Sequence, residues 1–431
     1  MQIGNEKQIL EKWMGVKGKF SVASIADPEL RRNCAVLLEN LSKKENYNNT
    51  EINLFETDTT NYGSNGGDGA KFQPIAMALL RRTYMDYFAH KCVGFQTMQG
   101  PVGLAYALRK VYKNAALPGS GLTGGSDAYE MAFKALNEYS GYTGSSPASA
   151  LALATSAIYD FSNTGTAGKF GTGAATSAAE GWLMSSTMPK AELFLDKVAI
   201  EAKTRKLGAS FTLEAAQDLK AMQNLDIEAE MLSILAREIP AERDREIIGR
   251  MIQVALDTTK GGEVVTILDV SATDGRWSQE KFSNIINVIS KKSADIATAT
   301  MLGAGNFVIV SPRVGAALQA AGSQFTANTS DVNAATTVAE IGKINGTITV
   351  YRDALAYTDY ALIGYKGPSV TDTGIIVSDF ITSLNSRAID PDTFGVRVGT
   401  LSRYAITDSL LGAGRYYRVI KINNLDKVLG N

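Results

Sequence analysis

The residues in this chain whose types and spacing could do chemistry begin with Gly119-Ser120-Gly121-Leu122-Thr123-Gly124. This is the GxGxxG spacing that can turn backbone N–H groups onto a pyrophosphate. The mechanism needs a buried strand directly before the first glycine. Here the preceding residues are Lys113-Asn114-Ala115-Ala116-Leu117-Pro118, which have no strand pattern, and the surroundings are glycine-rich. A loop is the better reading, and a nucleotide-binding enzyme stands only as a competing one. Gly168-Lys169 fails as a phosphate loop, because Phe170 stands where Ser or Thr is needed and Asn163 where the first glycine is needed.

Other candidates fall to equally plain readings. His90 is the only histidine, which removes multi-histidine metal centres and leaves one residue on which to build any Ser-His-Asp arrangement. A structural histidine at a helix end is expected instead. Glu238, Glu242 and Glu246 repeat at four-residue spacing, so they share one helical face. Two such carboxylates serve acid–base chemistry only where a pocket drives their pKa values apart. Arg245 and Arg250 stand three and four residues beyond Glu242 and Glu246, the spacing of solvated helix pairs. A charged outer face, or one used between subunits, is therefore expected. Arg81, Arg82, Arg109 and Lys110 form short basic clusters beside aromatic residues and suit nucleic acid or acidic neighbours equally. Cys34 and Cys92 make no CxxC pair and read as small buried apolar residues. No catalytic, cofactor or metal residue is assigned.

The elements that must position these residues follow from composition and pattern. The 431 residues suit about three domains. Lys plus Arg number 43 against 44 Asp plus Glu, so an overall basic surface for gripping nucleic acid is excluded. A balanced lining suits a container that must release DNA. No basic-then-apolar leader opens the chain, which argues against a secretory signal, and the most apolar run, residues 148–158, is short for a membrane span.

Residues 1–56 are polar apart from the apolar patch Cys34-Ala35-Val36-Leu37-Leu38, and 57–70 read as an extended arm. A helix is expected over Pro74–His90. Gly, Ala, Ser and Thr fill 45 of the 73 positions of 115–187, too few large side chains for a separate core, with one convincing helix at Ala128–Tyr139. A long helical spine is expected over Phe211–Leu256, capped in part by Asp226 and kinked or restarted at Pro240. Beyond it, strands are expected at Val264–Val270, Phe307–Val310, Gly346–Arg352, Ala361–Tyr365, Gly374–Ser378 and Arg397–Ile406, with a helix at Ser278–Ala299. The class is α+β.

A resemblance runs through phrases in a shared order. They are Gly100-Pro101-Val102-Gly103-Leu104-Ala105-Tyr106-Ala107-Leu108-Arg109-Lys110-Val111-Tyr112, then Thr212-Leu213-Glu214-Ala215-Ala216-Gln217-Asp218-Leu219-Lys220-Ala221 and Ala229-Glu230-Met231-Leu232-Ser233-Ile234-Leu235. Phe307-Val308-Ile309-Val310-Ser311-Pro312-Arg313-Val314, Gly364-Tyr365-Lys366-Gly367, Asp392-Thr393-Phe394 and Arg403-Tyr404 follow. The chain resembles the major capsid proteins of contractile-tailed phages of the T-even kind over about residues 74–112 and 188–410.

That resemblance implies a Hong Kong 97-type capsid fold and a shell subunit with no catalytic site. It implies an N-terminal segment at 1–56, an N-terminal arm at 57–99, and an extended loop at 100–114 and 188–207. It places an insertion domain at 115–187, a peripheral domain at 208–256 with 386–431, and an axial domain at 257–385. Implied partners are identical copies in hexamers, vertex, portal, scaffold and decoration proteins, a maturation protease, and enclosed double-stranded DNA bound without sequence specificity. No cofactor and no membrane are implied. The place of action is the virion, with assembly in the host cytoplasm. The family's protease cuts after a Leu/Ile-x-Glu pattern, met here at Glu11, Glu39 and Glu56, and Glu56 fits the family position best. A cellular nanocompartment of the same fold is the nearest alternative.

Overall fold

The computed structural model describes residues 28, 31–39, 89–113, 175–181, 190–223, 227–270, 277–322, 325–327, 338–390 and 395–426. Several expected features lie outside them: the GSGLTG loop, the helix at Ala128–Tyr139, Asp226, Arg81, Arg82, Glu11, Glu56 and nearly all of Pro74–His90. The described residues are α+β, as their patterning requires, and the chain divides into two compact units.

The first unit comprises Met1–Leu104, Ala199–Arg250 and Pro368–Thr407. Residues 31–39 are helical, and Cys34 to Leu38 are all buried, as the apolar patch demands. A short helix α1 (Ala89–Cys92), which contains His90, leads into strand β1 (Gly94–Thr97). Four strands form one sheet in the order β1-β11-β12-β4, with β4 at Lys203–Phe211, β11 at Ile375–Ile389 and β12 at Val396–Asp408. β1 runs parallel to β11, and β12 runs antiparallel to β4. Gly94 has to be glycine here. A Cβ would strike the Val370 carbonyl, and its N–H donates to Thr373 Oγ1 at 3.2 Å.

After a short helix α2 (Thr176–Gly181), helix α3 (Leu213–Gln223) starts where Thr212 Oγ1 accepts from the Ala215 N–H at 3.3 Å, a side-chain cap for an otherwise orphaned donor. The spine follows as α4 (Ile227–Leu256), a helix about 45 Å long at 1.5 Å per residue. The helix runs on through Pro240, where the sequence leads to a kink or a restart, and of the two the restart does not occur. Leu235 and Ile239 before the proline and Ile247 and Ile248 after it are all buried, so packing holds both halves despite one lost hydrogen bond.

The second unit comprises Ala105–Val198, Met251–Gly367 and Asp408–Asn431. Its seven-stranded sheet has the order β5-β13-β10-β6-β9-β8-β7. The strands are β5 (Thr266–Asp269), β6 (Phe307–Val310), β7 (Phe325–Ala327), β8 (Val338–Ile344), β9 (Ile348–Asp353), β10 (Tyr360–Gly364) and β13 (Tyr417–Asn423). Central strands β6 and β10 are buried at every position, which explains why Phe307-Val308-Ile309-Val310 reads as a continuous apolar run.

Helix α5 (Ser278–Thr300) buries Phe282, Ile285, Ile286, Ile289 and Ile296 at helical spacing, and it packs on β10 and β13. Helix α6 (Pro312–Ala320) begins at the signature Ser311-Pro312, where the Ser311 hydroxyl accepts from Val314 N–H and Pro312 occupies a first-turn position whose N–H is not needed. α6, β7, β8 and β13 have no counterpart among the elements expected from the sequence.

The compact units also depart from the expected boundaries. Residues 386–431 do not stay together: β13 inserts between β5 and β10 and buries Ile420 and Ile422, so 408–431 belong to the second unit. Conversely, 368–385 leave the expected axial segment, because β11 pairs with β1 in the first unit's sheet. Residues 203–207, expected in the extended loop, lie in β4 and pair with β12. Each departure is a choice of non-local strand partner.

Candidate assembly surface

The feature that most needs a partner is an arm. β2 (Val102–Lys113) and β3 (Lys190–Glu201) form a two-stranded sheet of their own. Ala202 N–H donates to the Pro101 carbonyl at 2.9 Å and closes the base. Successive side chains along each strand alternate between the two faces, and exposure follows that alternation. Val102, Leu104 and Tyr106 on one strand and Leu193 and Leu195 on the other are each more than half exposed. A lone two-stranded ribbon is marginal in water, and one with an apolar face calls for a covering surface.

The root of the arm is tied to the spine by charge. Arg205 on β4 donates through Nη1 to Glu242 at 2.8 Å and through Nη2 to Glu246 at 2.6 Å, and its Nε reaches the Tyr404 hydroxyl at 2.5 Å. Tyr404 in turn donates to Glu246. Burial pushes the Glu246 carboxyl up, but hydrogen bonds from Tyr404 and Arg205 and the charges of Arg205 and Lys203 outweigh it and hold it below the ordinary range. Burial and the bond to Glu246 push the Tyr404 phenol up. Glu246 is therefore ionised and committed to a cation, and Glu242 shares the same guanidinium. The face expected from the sequence is real, but the structure pairs Glu242 and Glu246 with a strand arginine.

Beneath this node lies a second arginine. Arg243 and the Asp379 side chain are fully buried, with Nη2 to Oδ1 at 2.6 Å and Nη1 to Oδ2 at 2.9 Å. The guanidinium lies 4.7 Å from the Tyr404 ring centroid and 5.7 Å from that of Phe95. Asp379 also pairs with Thr97 of β1, and its carbonyl accepts from Met98 N–H at 2.8 Å. One ion pair thus joins α4, β11 and the end of β1. Burial pushes the Asp379 carboxyl up, Arg243 pulls it back, and burial prevails.

Arg205, Arg243, Asp379 and Tyr404 were not singled out from the sequence as a site. For Arg243 a signal exists: it continues the buried row Leu235, Ile239, Arg243, Ile247, Met251 at four-residue spacing, where a solvated charge has no place. Lys110 is exposed on the arm, and Arg109 lies in β2. Glu39 lies in a helical stretch in which Leu37 and Leu38 are buried. Cys34 and Cys92 are both buried thiols. Among the described residues no three His, Cys, Asp or Glu side chains gather as metal ligands.

Comparison with known proteins accords with a shell subunit. A family model described as "Major capsid protein Gp23" matches residues 69–426. The major capsid protein of Enterobacteria phage T6 is 30% identical, with 80% of this chain and 79% of that protein covered. Among solved structures, the asymmetric unit of the bacteriophage PhiM1 mature capsid is 10% identical with a TM-score of 0.40, covering 78% of this chain and 86% of that one. The holo-SrpI encapsulin complex from Synechococcus elongatus is 9% identical with a TM-score of 0.33, covering 54% of this chain and 77% of that one. Scores this low do not separate a phage shell from a nanocompartment. The family match over most of the sequence, with 30% identity to a curated capsid protein, does: the chain belongs to the Gp23 family of phage major capsid proteins.

Proposed function

We propose that this major capsid protein assembles into hexamers that close into an icosahedral head around double-stranded DNA. The observation that carries the hexamer reading is the β2–β3 arm, whose leucines and tyrosine are more than half exposed. In this reading the fold is of the Hong Kong 97 type. Residues 100–114 and 188–207 form its extended loop, 115–187 its insertion domain, 208–256 with 386–431 its peripheral domain and 257–385 its axial domain. Many modest contacts between interlocked copies sum to a stable shell. The near-neutral chain contacts DNA without sequence readout. Vertex, portal, scaffold and decoration proteins complete the particle, and assembly takes place in the host cytoplasm.

Maturation in this reading removes residues 1–56 by cleavage after Glu56. The rival Glu39 is disfavoured because its triplet is helical with both leucines buried, and a protease needs accessible extended backbone. N-terminal sequencing of the mature particle's main band tests this. A start at Thr57 supports it, and a start at Met1 ends it. Negative-stain electron microscopy of the purified protein tests the assembly. Closed polyhedra, tubes or hexamer sheets are the expected result, and DNA inside them separates a virus head from a nanocompartment. Small discrete oligomers under every condition would overturn the reading.

A further inference from the structure

The hairpin between β8 and β9 turns on Asn345, Gly346 and Thr347, and all three are exposed. Asn345 has φ 50° and Gly346 φ 71°, and the Thr347 N–H donates to the Ile344 carbonyl at 3.1 Å. Successive left-handed residues favour asparagine followed by glycine, which is why this pair stands at the tip. The same pair is chemically labile. The asparagine carboxamide carbon lies within reach of the next backbone nitrogen, and glycine has no side chain to obstruct the approach. Here a Cβ built on Gly346 would meet nothing within 4 Å, and the Gly346 N–H donates to no backbone carbonyl among the described residues.

Asn424 shows what protection looks like. It too is exposed and left-handed, with φ 60°. Its Nδ2, however, donates to Asp269 Oδ1 at 3.0 Å, and the residue that follows is Leu425, buried in the core of the second unit. The carboxamide is tied, and the nitrogen it would have to meet belongs to a branched residue fixed by packing. No such tie holds the Asn345 carboxamide among the described residues.

We propose that Asn345 is a site of spontaneous deamidation in the folded chain. The Gly346 backbone nitrogen attacks Cγ of Asn345, so that an N–Cγ bond forms and the Cγ–Nδ2 bond breaks. The proton from the Gly346 nitrogen leaves with Nδ2 as ammonia, and a cyclic imide remains. Water then opens the ring. Cleavage at Cγ gives aspartate, and cleavage at the backbone carbonyl gives isoaspartate, with the proton returned to the Gly346 nitrogen. No oxidant or reductant is involved. Ring closure needs rotation about the Cα–C bond of Asn345, and opening a loop tip costs far less than unfolding the chain. Either product adds a carboxylate beside the exposed Lys343, and isoaspartate also lengthens the backbone of the turn by one carbon. The reaction needs only the folded subunit, so it stands apart from the shell reading.

The test incubates the purified full-length chain in mildly alkaline water enriched in oxygen-18 and follows its tryptic peptides by mass spectrometry. Peptide 344–352 holds Asn345 as its one asparagine, and peptide 422–427 holds Asn424. Asn65-Gly66, the other Asn-Gly pair of the sequence, falls in a different peptide. The expected result is a growing fraction of peptide 344–352 with OH in place of NH2 and one labelled oxygen, part of it methylated by a protein isoaspartyl methyltransferase. Asn424 should keep its amide over the same period. Asn345→Gln, which enlarges the ring that must close, should abolish the label in that peptide while far-ultraviolet circular dichroism stays unchanged. An intact amide at Asn345 in the folded chain, with conversion only after denaturant is added, would overturn the proposal. So would equal conversion at Asn424.

Discussion

Replacing Arg243 by methionine should destabilise the unassembled subunit in a way that acid partly reverses. The change removes two charge-assisted bonds, at 2.6 and 2.9 Å, and leaves a fully buried carboxylate alone. Breaking a buried pair from one side costs about 3–5 kcal/mol. The carboxyl has an escape that the guanidinium lacks: it can take up a proton, whereas arginine cannot lose one. Burial already holds Asp379 above its ordinary value with Arg243 present, and without Arg243 the shift grows. A carboxyl with a raised folded pKa prefers the protonated form when folded. Its penalty is absent below the unfolded value of about 3.9 and grows as pH rises toward the folded value, by about 1.4 kcal/mol per unit.

Arg243→Met should therefore regain stability relative to the unaltered chain as pH falls through the raised folded value of Asp379. Asp379→Asn strands a cation and should lose about as much with no acid recovery. The double change Arg243→Met with Asp379→Leu leaves no charge behind and should cost far less than the two singles together. Denaturant unfolding followed by far-ultraviolet circular dichroism measures all four proteins. A loss under about 1 kcal/mol for Arg243→Met would refute the reasoning. So would a growing deficit on acidification.

Further expectations concern other parts of the chain. Met301 caps α5 with a left-handed φ of 55°, so Met301→Gly should stabilise the subunit by about 1 kcal/mol, read as a rise in Tm of a few degrees. Gly364 in β10 lies against the Phe307 ring, where a Cβ would collide, so Gly364→Ala should cost about 1–3 kcal/mol by denaturant titration. Glu246 is held low when folded, so its contribution is complete above the ordinary value of 4.5 and is lost as pH falls through the folded value. The stability gap between Glu246→Gln and the unaltered chain should close on acidification below that point, and a constant gap would refute the pairing. Leu193→Asp with Leu195→Asp should abolish shells seen by electron microscopy while changing subunit stability by less than about 0.5 kcal/mol, since both side chains are exposed.

Much of this protein was legible wherever a local pattern suffices. The run Phe307–Val310 is a strand at the expected bounds, and the helix expected at Ser278–Ala299 ends one residue later, because apolar runs and 3.6-residue spacing are properties of the segment itself. The α+β class and the family follow from such segments and their order. What only the tertiary structure decided is partnership. Gly374–Ser378 reads as a short strand, yet β11 runs on to Ile389 past the end of β1, because β12 neighbours it in the sheet. Tyr417–Asn423 joins the second unit because β5 and β10 leave a gap that Ile420 and Ile422 fill. Glu242 and Glu246 stand within reach of helical arginines by sequence, yet they are bound by Arg205, far back along the chain. Arg243 stands by spacing in a row of apolar helix positions, but only the tertiary structure brings Asp379 to it in the core. Segment chemistry sets which element forms, whereas sheet order and buried charge pairing depend on residues brought together from far apart along the chain.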